Sequence, residues 1–200
     1  MSVIGETTRA IRMTLVLWVL TAIIYPVLVL AISQVAFPSQ ANGSLVQNLE
    51  GKVVGSALIG QAFTTEQYFS TRPSTSTYSQ GKEAAPTGLS GASNLAPSNP
   101  VLLERIQKEV GRLQEIDIQP TADLVYTSGS SLDPHITVAS AIAQLERVAT
   151  ARNLSTEDIA PLIAKHTQGR FLGIFGEPGV NVLNLNRDLD ILAFSNQQKQ

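Results

Sequence analysis

The chain has 200 residues, with 14 Lys and Arg against 16 Asp and Glu, a net charge of −2, two histidines and no cysteine. The missing cysteines exclude disulfides, thiolate metal sites and a cysteine nucleophile, and two histidines are too few for a histidine-rich metal site. The near balance of charge gives no electrostatic reason to expect nucleic acid or an anionic membrane surface as a partner.

The first element is residues 13–32, MTLVLWVLTAIIYPVLVLAI, twenty residues without a charge, twelve of them Leu, Ile or Val. As a helix rising about 1.5 Å per residue it would be about 30 Å long, the thickness of a bilayer's hydrocarbon core. A transmembrane helix is therefore predicted over 13–35. Pro26 should bend it, because the ring removes one backbone hydrogen bond, a defect tolerated where neighbouring helices or water re-satisfy the freed carbonyl. Arg9 and Arg12 precede the span, and the next basic residue is Lys52. The positive-inside rule then places residues 1–12 in the cytoplasm and residues 36–200 outside, as a periplasmic or external domain. The apolar run exceeds the roughly 7 to 15 residues of a signal peptide, and Val35-Ala36-Phe37-Pro38 offers no small-residue cleavage site, so the span reads as a retained anchor.

Residues 37–44, FPSQANGS, form a turn-rich exit. Residues 53–63, VVGSALIGQAF, predict a strand or two. Residues 70–99 are rich in Ser, Thr, Pro and Gly, a stretch longer than the roughly 12 to 15 residues usual for a structureless loop. It reads either as a partner-facing loop, with Tyr68, Phe69, Tyr78 and Asn94 as side chains suited to packing on another protein, or as a plain linker. Asn99 and Pro100 open a helix running to Glu115, with Leu102, Leu103, Ile106, Val110 and Leu113 on one side and Glu104 paired with Lys108 on the other. Residues 123–127 predict a short strand, and residues 128–135 a turn. Thr137 can cap a second helix with Val138, Ile142, Leu145 and Val148 in one stripe, ending at Arg152-Asn153. A third begins after Ser155, with Asp158 in a capping arrangement and Pro161 bending or shortening it. Residues 171–175 and 180–185 predict two strands around the hairpin loop 176–179, and residues 187–192 one helical turn. The expected fold is an α+β external domain, with α/β as the alternative, holding a small sheet and about three helices, tethered by one N-terminal transmembrane helix.

The turn 128–135 carries the most suggestive chemistry: hydroxyls, Asp133 and His135 lie within eight residues, just before a helix. A Ser/His/Asp hydrolase needs those groups to face each other, which neighbours on one turn rarely do, and no Gly-x-Ser-x-Gly elbow occurs in the chain. Cap and turn is the reading preferred. No Walker A pattern is present either. No catalytic or metal-ligating residue is therefore assigned, and the residues alone describe a single-pass membrane protein with a non-catalytic external domain. The rival is a membrane-tethered external enzyme or solute-sensing domain.

Several stretches in fixed order go further. They are Gln40-Ala41-Asn42-Gly43-Ser44; Gly55-Ser56-Ala57-Leu58-Ile59-Gly60-Gln61 with Phe63; Tyr68-Phe69 with Arg72-Pro73-Ser74; and Ser90-Gly91-Ala92-Ser93-Asn94-Leu95 with Ser98-Asn99-Pro100. Further on come Ser128 to Ile136 as SGSSLDPHI, Gln144 with Arg147-Val148-Ala149 and Arg152, Gly176-Glu177-Pro178 with Val180-Asn181-Val182-Leu183, and Leu189-Asp190. Together they resemble the C subunit of the Kdp-type potassium-transporting P-type ATPase, from the anchor nearly to the C-terminus. The chain departs from that pattern at Ala92, at Leu132 and at Gly179.

The resemblance implies a non-catalytic accessory subunit of an ATP-driven potassium uptake pump in the bacterial inner membrane. Its partners would be a pore-forming, potassium-channel-like subunit and a P-type subunit that hydrolyses ATP. It would have no cofactor of its own, since ATP and potassium are handled by the complex. The family is described as a catalytic chaperone that raises the ATP affinity of the hydrolysing subunit. With the domain outside and ATP inside, direct contact with ATP is not expected; the expectation is a domain that caps the external mouth of the pore subunit. Residues expected to touch a partner or ligand are Tyr68, Phe69, Arg72, Asn94, Asn99, Ser130, Asp133 and His135.

Overall fold

The computed structural model describes residues 3–79 and 88–198. It divides into two compact units, residues 1–45 and 46–200. Residues 80–87, within the long polar stretch, lie outside the described residues.

The first unit is built on one apolar helical rod, Val3–Ala36, long and apolar enough to cross a membrane. Its first part, α1 (Val3–Val19), passes through a wider, π-wound stretch, Leu20–Ile24, into α2 (Tyr25–Ala36). In that stretch the Tyr25 N–H bonds the carbonyl of Leu20, five residues back. The bulge sits immediately before Pro26, where such a change of winding absorbs the missing amide without ending the helix. The helix starts at Val3, well before the predicted span, so Arg9 and Arg12 lie on it. After α2 a short turn of helix, α3 (Pro38–Ala41), is fastened by Asn42, whose side-chain amide donates to Gln34 Oε1 at 3.2 Å and to the Pro38 carbonyl at 2.7 Å.

The second unit mixes helices with small antiparallel sheets. β1 (Leu45–Gln47) and β2 (Val53–Ser56) form a two-stranded sheet. Asn48 Oδ1 shapes the turn between them by accepting from the amides of Glu50 and Lys52. A long irregular stretch leads to α4 (Pro100–Glu115) and the single turn α5 (Ala122–Val125). Then follow β3 (His135–Ile136), α6 (Val138–Arg152), α7 (Thr156–Lys165), β4 (Thr167–Gln168), β5 (Gly179–Asn181) and α8 (Val182–Gln197). β5 is the centre of a three-stranded sheet, with Ile136 of β3 and Thr167 of β4 both opposite Val180. The main core gathers Phe69, Ile136, Val148, Ile159, Val180, Leu185 and Leu189, so one loop residue joins the sheet and the last three helices. Each large apolar side chain so buried stabilises the fold by roughly 1.5 to 3 kcal/mol. A second cluster, Leu113, Ile118, Leu124 and Val125, fixes α4 and α5.

What holds the irregular stretch is a pair of buried amide side chains. The Phe69 N–H donates to Asn186 Oδ1 at 2.9 Å, and Asn186 Nδ2 donates back to the Phe69 carbonyl at 2.9 Å. One residue on, the Ser70 N–H donates to Gln144 Oε1 at 2.7 Å and Gln144 Nε2 donates to the Ser70 carbonyl at 3.2 Å. Asn186 comes from α8 and Gln144 from α6; each imitates a peptide group and gives an extended segment the two bonds a neighbouring strand would supply. Arg147 reaches the carbonyls of Glu66 and Tyr68, and Arg152 that of Gln67.

The capped helices begin where predicted, with Asn99, Thr137 and Ser155 each accepting from an amide of the first turn. Four expectations fail. Residues 123–127 hold a helical turn instead of a strand, because Leu124 and Val125 are both buried and a strand would send adjacent side chains to opposite faces. Residues 180–185 leave the sheet at Asn181, which caps α8 by accepting from the Asn184 amide; Val182, Leu185 and Leu189 then fall on one face of a sixteen-residue helix. Residues 171–175 form a closed turn, with Leu172 (φ 53°) and Gly173 (φ 74°) reversing the chain, and β4 takes the place next to β5. On α6 the buried face holds Ser140, Ala141, Gln144, Val148 and Ala149, leaving Ile142 58% exposed. On α4 the ion pair joins Arg112 to Glu109 at 2.8 Å.

Two substitutions test this account by urea unfolding of the detergent-solubilised protein followed by circular dichroism. Asn186→Ala strands the Phe69 N–H and carbonyl inside the core and is expected to cost roughly 2 to 5 kcal/mol. Gly60→Ala places a Cβ 2.7 Å from the Asp133 carbonyl oxygen and 2.5 Å from the Tyr78 ring; the backbone oxygen cannot step aside, and a loss of about 1 to 3 kcal/mol is expected.

Candidate functional site

The predicted contact residues fall into separate places. Tyr68 and Phe69 are neighbours on the clamped segment and face opposite ways. Phe69 is fully buried, so its side chain holds the segment to the core instead of meeting another protein. Tyr68 stands in a charged setting: its hydroxyl donates to Asp190 Oδ2 at 3.1 Å, the Arg152 guanidinium lies 4.7 Å from its ring centroid, and the ring of Phe63 is 5.4 Å away. Arg152 also bonds Asp190 at 2.8 Å. Burial, with the Asp190 carboxylate beside it, raises the Tyr68 hydroxyl pKa, partly offset by Arg152. This group lines a cleft of about 390 Å³ together with Leu183 and Asn186.

Arg72, Asp133 and His135 do meet. The Arg72 Nη1 lies 3.3 Å from Asp133 and 3.6 Å from Asp123, a carboxylate the sequence did not single out. Asp123 is itself tied to the start of α6, accepting from the Thr137 amide at 2.7 Å and the Ser140 hydroxyl at 3.1 Å. Asp133 accepts from the His135 amide at 3.0 Å, and its carboxylate lies 3.5 Å from His135 Nδ1. Burial pushes the Asp133 carboxyl up, but the His135 hydrogen bonds and the Arg72 charge outweigh it and leave the group below its ordinary value. The Arg72 carbonyl accepts from the Tyr78 hydroxyl at 2.6 Å, so this arginine is fixed at both ends.

Ser130, Asn94 and Asn99 are placed otherwise. Ser130 is exposed; its hydroxyl accepts from the Leu132 amide, and its carbonyl accepts from the Gly91 amide and the Ser90 hydroxyl. Ser131, at φ 61°, is buried, sharing a 2.5 Å hydrogen bond with the Thr75 hydroxyl and bonding the Gly91 carbonyl. The turn 128–135 thus ties together the segments around residues 74 and 91. Asn94 is exposed at φ 51°, and Asn99 is the α4 cap.

Among the described residues no serine or threonine hydroxyl bonds either histidine, and no three His, Asp or Glu side chains converge as a metal-holding group. His166 Nε2 is instead 2.8 Å from Asp188, which also holds Lys165 at 2.6 Å. Burial would raise the Asp188 carboxyl; the bonds and charges of Lys165 and His166 overcome that and lower it. Asn186, missed in the sequence, carries a signal after the fact: with Gln144, it is a polar side chain on the inward face of an otherwise apolar helix. Gln144, Arg147, Arg152 and Asp190 were visible as motif residues without a visible purpose.

A helix able to cross a bilayer, joined to a mixed α and β domain whose charged groups fasten its own loops, defines a single-pass membrane protein of a binding or accessory class. The family model described as "KdpC: K+-transporting ATPase, c chain" matches residues 7–191, and the chain belongs to that family. It is 60% identical over 200 residues to the potassium-transporting ATPase KdpC subunit of Anabaena sp. (strain L31), covering 100% of both chains. It is 62% identical over 181 residues to that of Synechocystis sp. (strain ATCC 27184 / PCC 6803 / Kazusa), covering 90% of this chain and 95% of the other. With the subunit of Methylococcus capsulatus it shares 47% over 193 residues, 94% of this chain and 99% of the other.

The Asp188 carboxylate sets a pH dependence. A carboxyl lowered in the folded state contributes stability that is present above its unfolded value of roughly 4 and is lost as pH falls through the folded one. Asp188→Asn is expected to lower the melting temperature at pH 7 and to flatten its decline below about pH 4, read by thermal scans from pH 3 to pH 7.

Proposed function

We propose that this chain is the accessory subunit of a potassium-transporting P-type ATPase, anchored in the bacterial inner membrane by its N-terminal helix with its domain on the outer side. The observation that carries this reading is the family match from the apolar helix through Asp190, covering anchor and domain together. Arg9 and Arg12, ahead of the uncharged stretch, favour a cytoplasmic N-terminus. In this reading the domain rests on a pore-forming subunit, caps its external mouth and stabilises the assembly with the ATP-hydrolysing subunit.

ATP and potassium are handled by the partners, and this chain needs no cofactor. A rise in ATP affinity of the hydrolysing subunit is then a coupling between distant sites: the domain must bind one pump state more tightly than another, and by linkage ATP would tighten the domain's own hold by the same factor. The π-wound stretch before Pro26 gives the anchor a local departure from a plain rod that neighbouring helices can recognise.

Affinity purification of the full-length protein in mild detergent is the test. Two larger membrane proteins are expected to co-elute with potassium-stimulated ATP hydrolysis. A chain that elutes alone from cells grown under potassium limitation, without that activity, would overturn the reading.

A further inference from the structure

The turn at 171–175, FLGIF, is the most exposed apolar feature of the second unit. Phe171 is 71% exposed, Leu172 73%, Ile174 72% and Phe175 62%. The turn is closed by its own backbone, the Phe171 amide donating to the Phe175 carbonyl at 2.8 Å and the Phe175 amide donating back at 3.0 Å. Four large apolar side chains are thus held outward on a turn whose closing bonds are internal. Exposed apolar patches of this kind mark sites of association.

A polar cavity adjoins the turn. Phe171 and Phe175 border a space of about 540 Å³ whose other walls include Arg72, Asp133, His135 and Gln168. Arg72 spends Nη1 on the two carboxylates, but its Nε has no hydrogen-bond partner although it is out of water; the same holds for His135 Nε2. A buried polar atom left unpaired costs about 1 to 3 kcal/mol. The Arg72 Nε–H is always a donor, whereas in a neutral ring whose Nδ1–H faces Asp133 the His135 Nε2 is an acceptor. The missing occupant must therefore accept a hydrogen bond, donate another and cover apolar rings.

Hydrocarbon tails satisfy only the last of these needs; a polypeptide segment, with a carbonyl, an N–H and an apolar side chain, satisfies all three. We infer that the FLGIF turn and the Arg72–His135 cavity form one docking surface for a peptide segment of a partner subunit. This rests on the pump-subunit reading and names the face of the domain that would meet the partner.

The test places the photo-cross-linking residue p-benzoylphenylalanine at Phe171, at Phe175 or, as a reference in the anchor, at Leu28, in full-length protein produced with its pump partners and irradiated in membranes. An adduct from position 171 or 175 to a potassium-pump subunit is the expected result. Adducts to lipid alone, or none, from the turn while position 28 labels a pump subunit would overturn the docking surface and leave the subunit reading standing. No adduct to a pump subunit from any position, with no co-purification, would overturn both. In parallel, Phe171→Ser combined with Phe175→Ser is expected to reduce recovery of the partner subunits at least tenfold without shifting the melting temperature, about 1.4 kcal/mol or more of association. Unchanged recovery would overturn the inference.

Discussion

The second unit depends on two side-chain amides standing in for a missing β-strand. Residues 66–70 run extended through the domain interior, where their peptide groups cannot bond water. Asn186 and Gln144 each bond both peptide groups of one residue, and Arg147 and Arg152 take carbonyls that remain. Only with those bonds made can Phe69 enter the core beside Val180, Leu185 and Leu189. A leucine at either amide position would suit the helix equally well and leave the segment's polar backbone unsatisfied, a loss that burial of one more apolar side chain would not offset. The polar residues thus decide which loop enters the core.

Charge serves the same end around the second loop cluster. Arg72 bridges Asp123, at the foot of α6, and Asp133, at the entrance to β3, while its own carbonyl receives the Tyr78 hydroxyl. Serines complete the tie, with Ser131 buried between Thr75 and Gly91. The stretch 70–99, which composition alone describes equally well as a linker, is therefore fastened to the domain wherever it is described. Its small hydroxyl residues are what allow backbone and side chain to approach so closely, and they explain why so polar a stretch contains few aliphatic residues.

Local signals in the sequence were read correctly where the physics is local. Asn99, Thr137 and Ser155 announce their helices because a cap needs only the next two or three amides. Apolar stripes located α4 and α7. The signals failed where the outcome is set by distant partners. Residues 180–185 look like a strand until Leu185 and Leu189 are seen to share a face, and residues 171–175 have strand composition but no sheet position left to occupy, because β4 fills it. The amide clamp joins residues 117 and 74 positions apart, which no window along the chain can show. At the candidate site, Arg72, Asp133 and His135 do form one cluster, whereas Phe69 proved structural, and Asp123 became visible only once α5 placed it beside the arginine.

The separation between Phe69 and Asn186 also governs the order in which the domain can be made. A chain synthesised from its N-terminus presents the anchor and the 66–70 segment long before α8 exists, so the segment's backbone and Phe69 must stay unfolded until nearly the last helix arrives. Folding of such long-range pairings is slow, and exposed apolar segments invite aggregation and proteolysis in the interval. Completion of α8 is therefore a built-in proofreading step: a chain that ends early, or is cut near its end, cannot bury Phe69 and is left marked for degradation before it can take a place in an assembly.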